Sequence, residues 1–507
     1  MALLLGLDIS TTGAKALVID RGGNVIASAT TEFPTHSPQP LWSEQDPADW
    51  WRCTCASIQA VLAEPRVKGE DVSGVGLTGQ MHGLVLLDKS GRVLRPAILW
   101  NDQRTGVQCA EIEERAGGLA GLLGLTGNAV LPGFTAPKIL WVRQIEPAVY
   151  EQAAHILLPK DYVRYCLTGE YATDVSDASG TSLFDVAERR WSSEMEGLLG
   201  VPSEWLPHCT ESIEVSGQII LTAARATGLK RGIPVVGGAG DQAAQAVGSG
   251  IVEPGVISVT TGTSGVVFAH SDLFAAEAEG RLHAFCHAVP NKWHLMGVML
   301  SAGGSFRWFR DNLGEPERST ALLTGDDPYD LLTREAARVQ VGSDGLLFLP
   351  YLSGERTPHP DPEARGAFVG LNIRHSKRHL IRALLEGVAF GLRDCLELVK
   401  GAGVPIQQVR ASGGGARSPL WRQIQADVFG TELAMVNVTE GAAYGAALLA
   451  GAGTGLFGSV DQAVKATVHV TERTFPIASN VERYKELYML YRMLYPALGD
   501  ICHRLPR

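Results

Sequence analysis

Ile233-Pro234-Val235-Val236-Gly237-Gly238-Ala239-Gly240-Asp241-Gln242 reads as a short apolar strand, a turn nearly bare of side chains, and one carboxylate at the turn's end. Glycines at 237, 238 and 240 leave room for a ligand and allow backbone angles closed to other residues. The run Ala243-Ala244-Gln245-Ala246-Val247-Gly248 reads as the start of a closely packed helix. Two roles fit Asp241: an acid presented for chemistry, or a cap on that helix. The choice depends on what else the chain carries.

A chain of 507 residues is too long for one ordinary core and points to two large domains or about three smaller ones. A net charge of −10 leaves no basic face for nucleic acid and no polybasic membrane anchor, so the expected partner is a small molecule. The eight cysteines form no Cys-x-x-Cys pair and meet no histidine cluster at zinc spacing. They read as reduced residues of a cytoplasmic protein. The N-terminal run Ala2-Leu3-Leu4-Leu5 soon meets Gly6 and Asp8, which makes it a strand and not a signal peptide. Nothing in the chain reads as a transmembrane segment, and a homodimer stays open only at the base rate for soluble enzymes.

Leu3 to Ser10 is a mostly apolar strand, Thr11-Thr12-Gly13 a tight turn, and Ala14 to Asp20 a second strand. Such a turn presents hydroxyls and backbone N–H groups together, which suits phosphate oxygens, and Asp8 before it suits a hydrated Mg²⁺. Thr-Gly turns also close hairpins that bind nothing. The same pattern returns at Gly255 to Thr260, Thr261-Gly262-Thr263-Ser264-Gly265, and Val266 to Ala269. Two such hairpins half a chain apart imply two similar α/β domains, 1–250 and 251–507, facing each other across a cleft, with a boundary near 250–254.

Between the hairpins, two apolar strands end in polar clusters: Gln80-Met81-His82-Gly83 and Trp100-Asn101-Asp102-Gln103-Arg104. Polar residues at successive strand ends mark where an open α/β sheet takes its ligand. Gln80, His82, Asn101, Asp102 and Arg104 suit the hydroxyls of a polyol, and Met81 and Trp100 its carbon face. A local structural role fits each of them equally. Farther on, a helical run extends from His379 to Lys400, and Gly413-Gly414-Gly415 lies between a strand and a helix start, where a flat ring can approach backbone. Gly441 to Ala447 reads as small-residue helix packing in a core, and the tail from Asn480 as a surface helix.

With Leu41-Trp42-Ser43-Glu44-Gln45-Asp46-Pro47, Gln80-Met81-His82-Gly83, Gly133-Phe134-Thr135-Ala136-Pro137-Lys138, Leu157 to Tyr162, Phe348 to Pro358 and Gly413 to Ser418, the sequence resembles the FGGY family of carbohydrate kinases nearly end to end. The Met-His-Gly element matches the family's xylulose kinase branch. The resemblance implies two actin-like (RNase H-like) domains with an ATP and sugar cleft between them, ATP with Mg²⁺, and a ketopentose. It puts Asp241 as the base at the sugar's terminal hydroxyl, Met81, His82, Gln80, Trp100, Asp102 and Gln242 around the sugar, and Asp8 with Asp241 at the metal. Thr11, Thr12, Gly13, Thr261, Gly262 and Thr263 then fall on phosphates, and Gly303, Gly414, Gly415 and Ser418 on the nucleoside. One departure is Gln242, where many of the xylulose branch carry Asn and glycerol kinases carry Gln. Another ketose, a polyol such as glycerol, and an actin-like ATPase coupled to a partner protein are the competing functions.

Overall fold

The computed structural model describes residues 2–506. The strands that position the site are β1 (Leu3–Ile9), β2 (Gly13–Asp20), β3 (Val25–Glu32), β4 (Val72–Gly79), β5 (Val215–Gln218), β6 (Pro234–Val236), β7 (Ala239–Gly240), β8 (Gly255–Thr261), β9 (Gly265–Ser271), β10 (Trp293–Met299), β11 (Ile406–Ser412), β12 (Glu432–Val436) and β13 (Val470–Thr474). The helices are α1 (Pro159–Thr168), α2 (Val175–Ala178), α3 (Asp241–Gly248), α4 (Gly303–Leu313), α5 (Lys377–Gly401), α6 (Pro419–Phe429) and α7 (Gly441–Gly453).

Two compact units result, and neither is one continuous half of the chain. The first comprises Met1–Glu253, Ser271–His294 and Val438–His469, and the second Pro254–His270, Leu295–Asn437 and Val470–Arg507. Each is built on a mixed sheet. In the first the order is β5-β6-β4-β1-β2-β3, with β7 also beside β4; β1 runs parallel to β4 and antiparallel to β2. In the second, a seven-stranded sheet, β10-β9-β8-β11-β12-β13 are successive neighbours, with β8 antiparallel to β9 and parallel to β11. The hairpin followed by parallel neighbours thus recurs, as the two Thr/Gly turns suggested.

One face of the first sheet is apolar: Leu3, Leu5, Leu7 and Ile9 of β1 and Val75 and Leu77 of β4 are almost wholly buried, in a cluster with Trp50, Cys53 and Ile58. On the opposite face, where Gly6 and Gly76 point, lies α7, whose Gly, Ala and Leu residues let two backbones meet. A Cβ on Gly6 would stand 1.9 Å from the Ala443 carbonyl oxygen, and one on Gly76 would stand 1.9 Å from that of Ala446. Helix α3 packs on the other side of α7 by the same device, since a Cβ on Gly445 would stand 1.8 Å from the Ala244 carbonyl oxygen. Here glycine serves by its missing side chain. The long α5 is the core helix of the second unit, with Leu384, Leu385, Val388 and Leu392 buried, and it starts two residues before the expected His379. The eight cysteines are all free thiols. Among the described residues no helix is long and apolar enough to cross a membrane.

Gly76→Ala, which drives a methyl into helix backbone that cannot swing aside, is expected to cost at least about 1–3 kcal/mol. The measurement is a denaturant midpoint set beside that of Gly106→Ala, a glycine with open space around its Cβ position; equal midpoints would show that α7 does not sit this close.

Candidate active site

Three parallel-sheet neighbours end together. Asp8 of β1 stands opposite Thr78 of β4, and Thr78 and Gly79 stand opposite Ala239 and Gly240 of β7. Asp241, the next residue, is the first of α3. The helix's N-cap is Gly240, and no side chain caps it. Asp241 is therefore not the cap that the sequence left open as an alternative. Its carboxylate instead accepts hydrogen bonds from the backbone and side chain of Gln242, and burial still pushes its pKa up to about 6. Asp8 is pushed up to about 7, first by burial and then by the negative charge of Asp241, against the opposing pull of Lys15. Lys15 itself is paired with Glu440 at the start of α7.

Around this pair, Met81 is buried against the glycine that precedes the acid: a Cβ on Gly240 would stand 2.8 Å from Met81 Sδ. His82 adopts the left-handed region at φ 69°. Its carbonyl accepts Lys138 Nζ at 2.8 Å and Thr135 Oγ1 at 3.0 Å, and its ring stacks on Phe134 at 4.6 Å. Nδ1 lies 2.7 Å from the Gly180 carbonyl, an acceptor only, so Nδ1 carries a proton and donates it there. Lys138 is wholly buried, which lowers its pKa to about 7.

The first Thr/Gly turn is held from beneath. Ser10 Oγ accepts Gly13 N–H at 3.2 Å, and the Thr11 carbonyl accepts Gln45 Nε2 at 2.7 Å. Gln80 Nε2 donates to Gln45 Oε1 at 2.9 Å and Trp100 Nε1 to Thr11 Oγ1 at 3.0 Å, while Thr12 stays exposed. Two expected sugar ligands thus turn inward. Gln80 is buried under the turn, and Asp102 has no exposure: its carboxylate accepts Ser43 N–H at 2.6 Å and is gripped by Arg104. A buried carboxylate needs such partners, and they leave it none for a ligand.

In the second unit, a cavity of about 370 Å³ opens where the second turn, the start of α4 and the 413–418 segment meet. Thr261, Gly262, Thr263, Gly303, Gly414, Gly415 and Ser418, all expected there, line it. Gly303 N–H donates to the Gly262 carbonyl at 2.7 Å and Gly304 N–H to that of Thr263 at 3.0 Å, tying turn to helix. Ser418 caps α6 by accepting Trp421 N–H. Gly413, at φ +82°, makes the turn, whereas a Cβ on Gly414 would meet nothing within 4 Å.

Models of the FGGY family of carbohydrate kinases match here, the N-terminal domain at residues 3–248 and the C-terminal domain at 257–454. The chain belongs to the FGGY family of carbohydrate kinases. It is an ATP-dependent carbohydrate kinase, which sets aside the partner-coupled ATPase. This FGGY kinase is 43% identical over 431 residues to the xylulose kinase of Escherichia coli (strain K12), covering 85% of this chain and 86% of that one. The crystal structure of xylulose kinase from Rhodospirillum rubrum matches with a TM-score of 0.91 and 34% identity, over 99% of this chain and 100% of that one. The gluconokinase of Bacillus subtilis (strain 168) is 32% identical over 493 residues, 96% of this chain and 94% of that one.

Several contributors carried no role in the sequence. Gln45, Phe134 and Lys138 lie inside the quoted motifs, but nothing in their spacing says that they hold Thr11 and His82. Phe306, Tyr329 and Trp421 wall the cavity of this kinase, with Phe306 edge-on to Trp421 at 5.6 Å and 5.0 Å from Tyr329. They come from three separate helices, and only folding reveals the set.

Asp8 Oδ1 is buried with no hydrogen-bond partner, beside a second carboxylate. Two hard oxygens crowded this way suit a Mg²⁺ ion, which takes one or two carboxylates and leaves its other positions to water and phosphate. Among the described residues no group of three or more His, Cys, Asp or Glu side chains gathers at metal-binding spacing, in keeping with so sparse a site. The crowding also has a stability consequence. Asp8 ionises near pH 4 when unfolded and near 7 when folded, so the stability it contributes below pH 4 is lost as pH rises toward 7. In metal-free buffer the thermal midpoint of Asp8→Asn should gain on the parent's between pH 5 and pH 8, by a few degrees, and level off above. A difference that stays constant with pH would mean that Asp8 titrates normally.

Proposed function

We propose that this kinase transfers the γ-phosphoryl group of ATP to the terminal hydroxyl of D-xylulose, giving D-xylulose 5-phosphate, with Asp241 as general base. The observation that carries this is Asp241 itself: a carboxylate at the head of α3, with no capping role, next in the chain to the glycine on which Met81 packs, and pushed up to about 6. The 43% identity to a xylulose kinase and the Met81-His82-Gly83 element support the sugar, and gluconate is the runner-up.

Phosphoryl transfer requires an aligned hydroxyl and stabilised phosphate charge more than covalent help from the protein. Met81 packs on the sugar carbons, and the His82 ring, oriented by the Gly180 carbonyl, flanks the sugar. Gln242, one carbon longer than Asn, keeps the Asp241 carboxylate turned and reaches an inner hydroxyl. Asp241 accepts the hydrogen bond of the attacking hydroxyl, lines up its oxygen with phosphorus, and takes the proton as the new P–O bond forms. Asp8 and Asp241 would hold Mg²⁺, which when bound neutralises phosphate charge. The hydroxyls of the exposed Thr12 and Thr263, one at the tip of each turn, take phosphate oxygens. The adenosine lies in the second unit's cavity, against Gly414 and the aromatic wall.

Asp241→Asn is expected to lower kcat by about 100-fold or more with a small change in the KM for ATP. In the parent, kcat/KM for the sugar should fall on the acid side as the base is protonated; a flat acid side would remove Asp241 from the proton transfer. Gly414→Val puts a branched side chain into the cavity without backbone strain and should raise the KM for ATP by about 10-fold, some 1.4 kcal/mol, at unchanged thermal midpoint. ADP release measured over D-xylulose, D-ribulose, glycerol and gluconate tests the sugar, and the highest kcat/KM on gluconate would replace the assignment.

A further inference from the structure

Lys160, Asp161, Arg164, Asp174, Ser176 and Asp177 are all wholly buried in the first unit. Burying so many ionisable groups is costly, and it is retained where it fixes a conformation. Lys160 Nζ lies 2.6 Å from Asp161 Oδ1, 2.9 Å from Asp174 Oδ1 and 3.1 Å from Asp177 Oδ2. From this hub two arms reach the segment before Asp241. On one, Asp161 holds Arg164, which donates to the Val236 carbonyl at 2.8 Å and to the Gly237 carbonyl. On the other, Asp174 Oδ2 accepts the Ser176 hydroxyl at 2.5 Å, and Ser176 Oγ accepts the Gly240 N–H at 3.1 Å.

Gly240 explains why the second arm matters. A Cβ there would stand 2.8 Å from Met81 Sδ, and with no side chain of its own this residue is held only through its backbone. The next residue is Asp241. We propose that Ser176 is a positioning residue for phosphoryl transfer: by taking the Gly240 N–H while locked to Asp174 and Lys160, it fixes the peptide that aims the Asp241 carboxylate. This rests on Asp241 being the base.

The test compares Ser176→Ala, Ser176→Thr and Asp241→Asn in the full chain, reading kcat, the KM values for ATP and D-xylulose, and the thermal midpoint. Ser176→Ala removes the acceptor and should lower kcat between about 10- and 100-fold, the scale of a small misplacement, with the KM for ATP and the midpoint near the parent's. Ser176→Thr keeps the hydroxyl and should recover most of the rate. Parent-like kcat in Ser176→Ala, or rate losses in both variants that track their midpoints, would overturn the proposal. Should Ser176→Ala not fold, Ser176→Cys, close in size and a weaker acceptor, is judged by the same criteria. If Asp241→Asn is crippled and the alanine variant is not, the base stands and Ser176 is dismissed. If Asp241→Asn turns over within a few-fold of the parent, the base assignment fails and takes the role of Ser176 with it.

Discussion

The first unit depends on one close contact, the backbone of α7 laid directly on β1 and β4. Gly6 and Gly76 leave no side chain between sheet and helix, and Gly445 does the same between α7 and α3. Three elements from the chain's beginning, middle and end are thereby locked at backbone distance. Because α3 begins with Asp241 and β1 carries Asp8 near its end, this contact determines how near the two carboxylates come. Interiors packed to this density transmit a displacement instead of absorbing it, so the spacing of the acids is a property of the core.

That spacing has an electrostatic cost. Asp8 and Asp241 are both held above the ordinary carboxylate range, the first partly by the second. A cation would relieve this, and a sugar hydroxyl would find a base whose pKa is raised toward neutrality, which is where general-base catalysis is most effective. Elsewhere in the unit three carboxylates, Asp161, Asp174 and Asp177, stand with two cations, Lys160 and Arg164, burial pushes Asp177 well above the usual carboxylate range, and the hydrogen bonds of the cluster end on the backbone before Asp241.

The second unit repeats the sheet but uses its turn differently. In the first unit the Thr/Gly turn is braced by Gln45, Gln80 and Trp100. In the second it is tied to the start of α4 and opens onto a cavity walled by aromatic rings. One architecture thus carries an acid pair in one unit and a cavity with an aromatic wall in the other.

Much of this was legible in the sequence, because local patterns suffice for it. Alternating Leu and Val runs broken by Thr/Gly turns locate both hairpins, a Gly-rich strand end exposes Asp241, and the motifs around Met81, Trp100 and Gly413 identify the family. The identities of Gln80 and Asp102 did not show that burial and partners 35 and 59 residues away turn them inward. Nor did the Ala/Gly stretch at Gly441 to Gly453 show where it packs: a helix of small residues has no amphipathic stripe to name its partner. Local composition therefore determined the strands, the turns, the candidate acid and the family. Only tertiary structure decided which unit α7 completes, that Asp8 and Asp241 share one low-dielectric spot, and that Lys160 and Ser176 stand behind the acid, because those follow from contacts between segments tens to hundreds of residues apart that no spacing encodes.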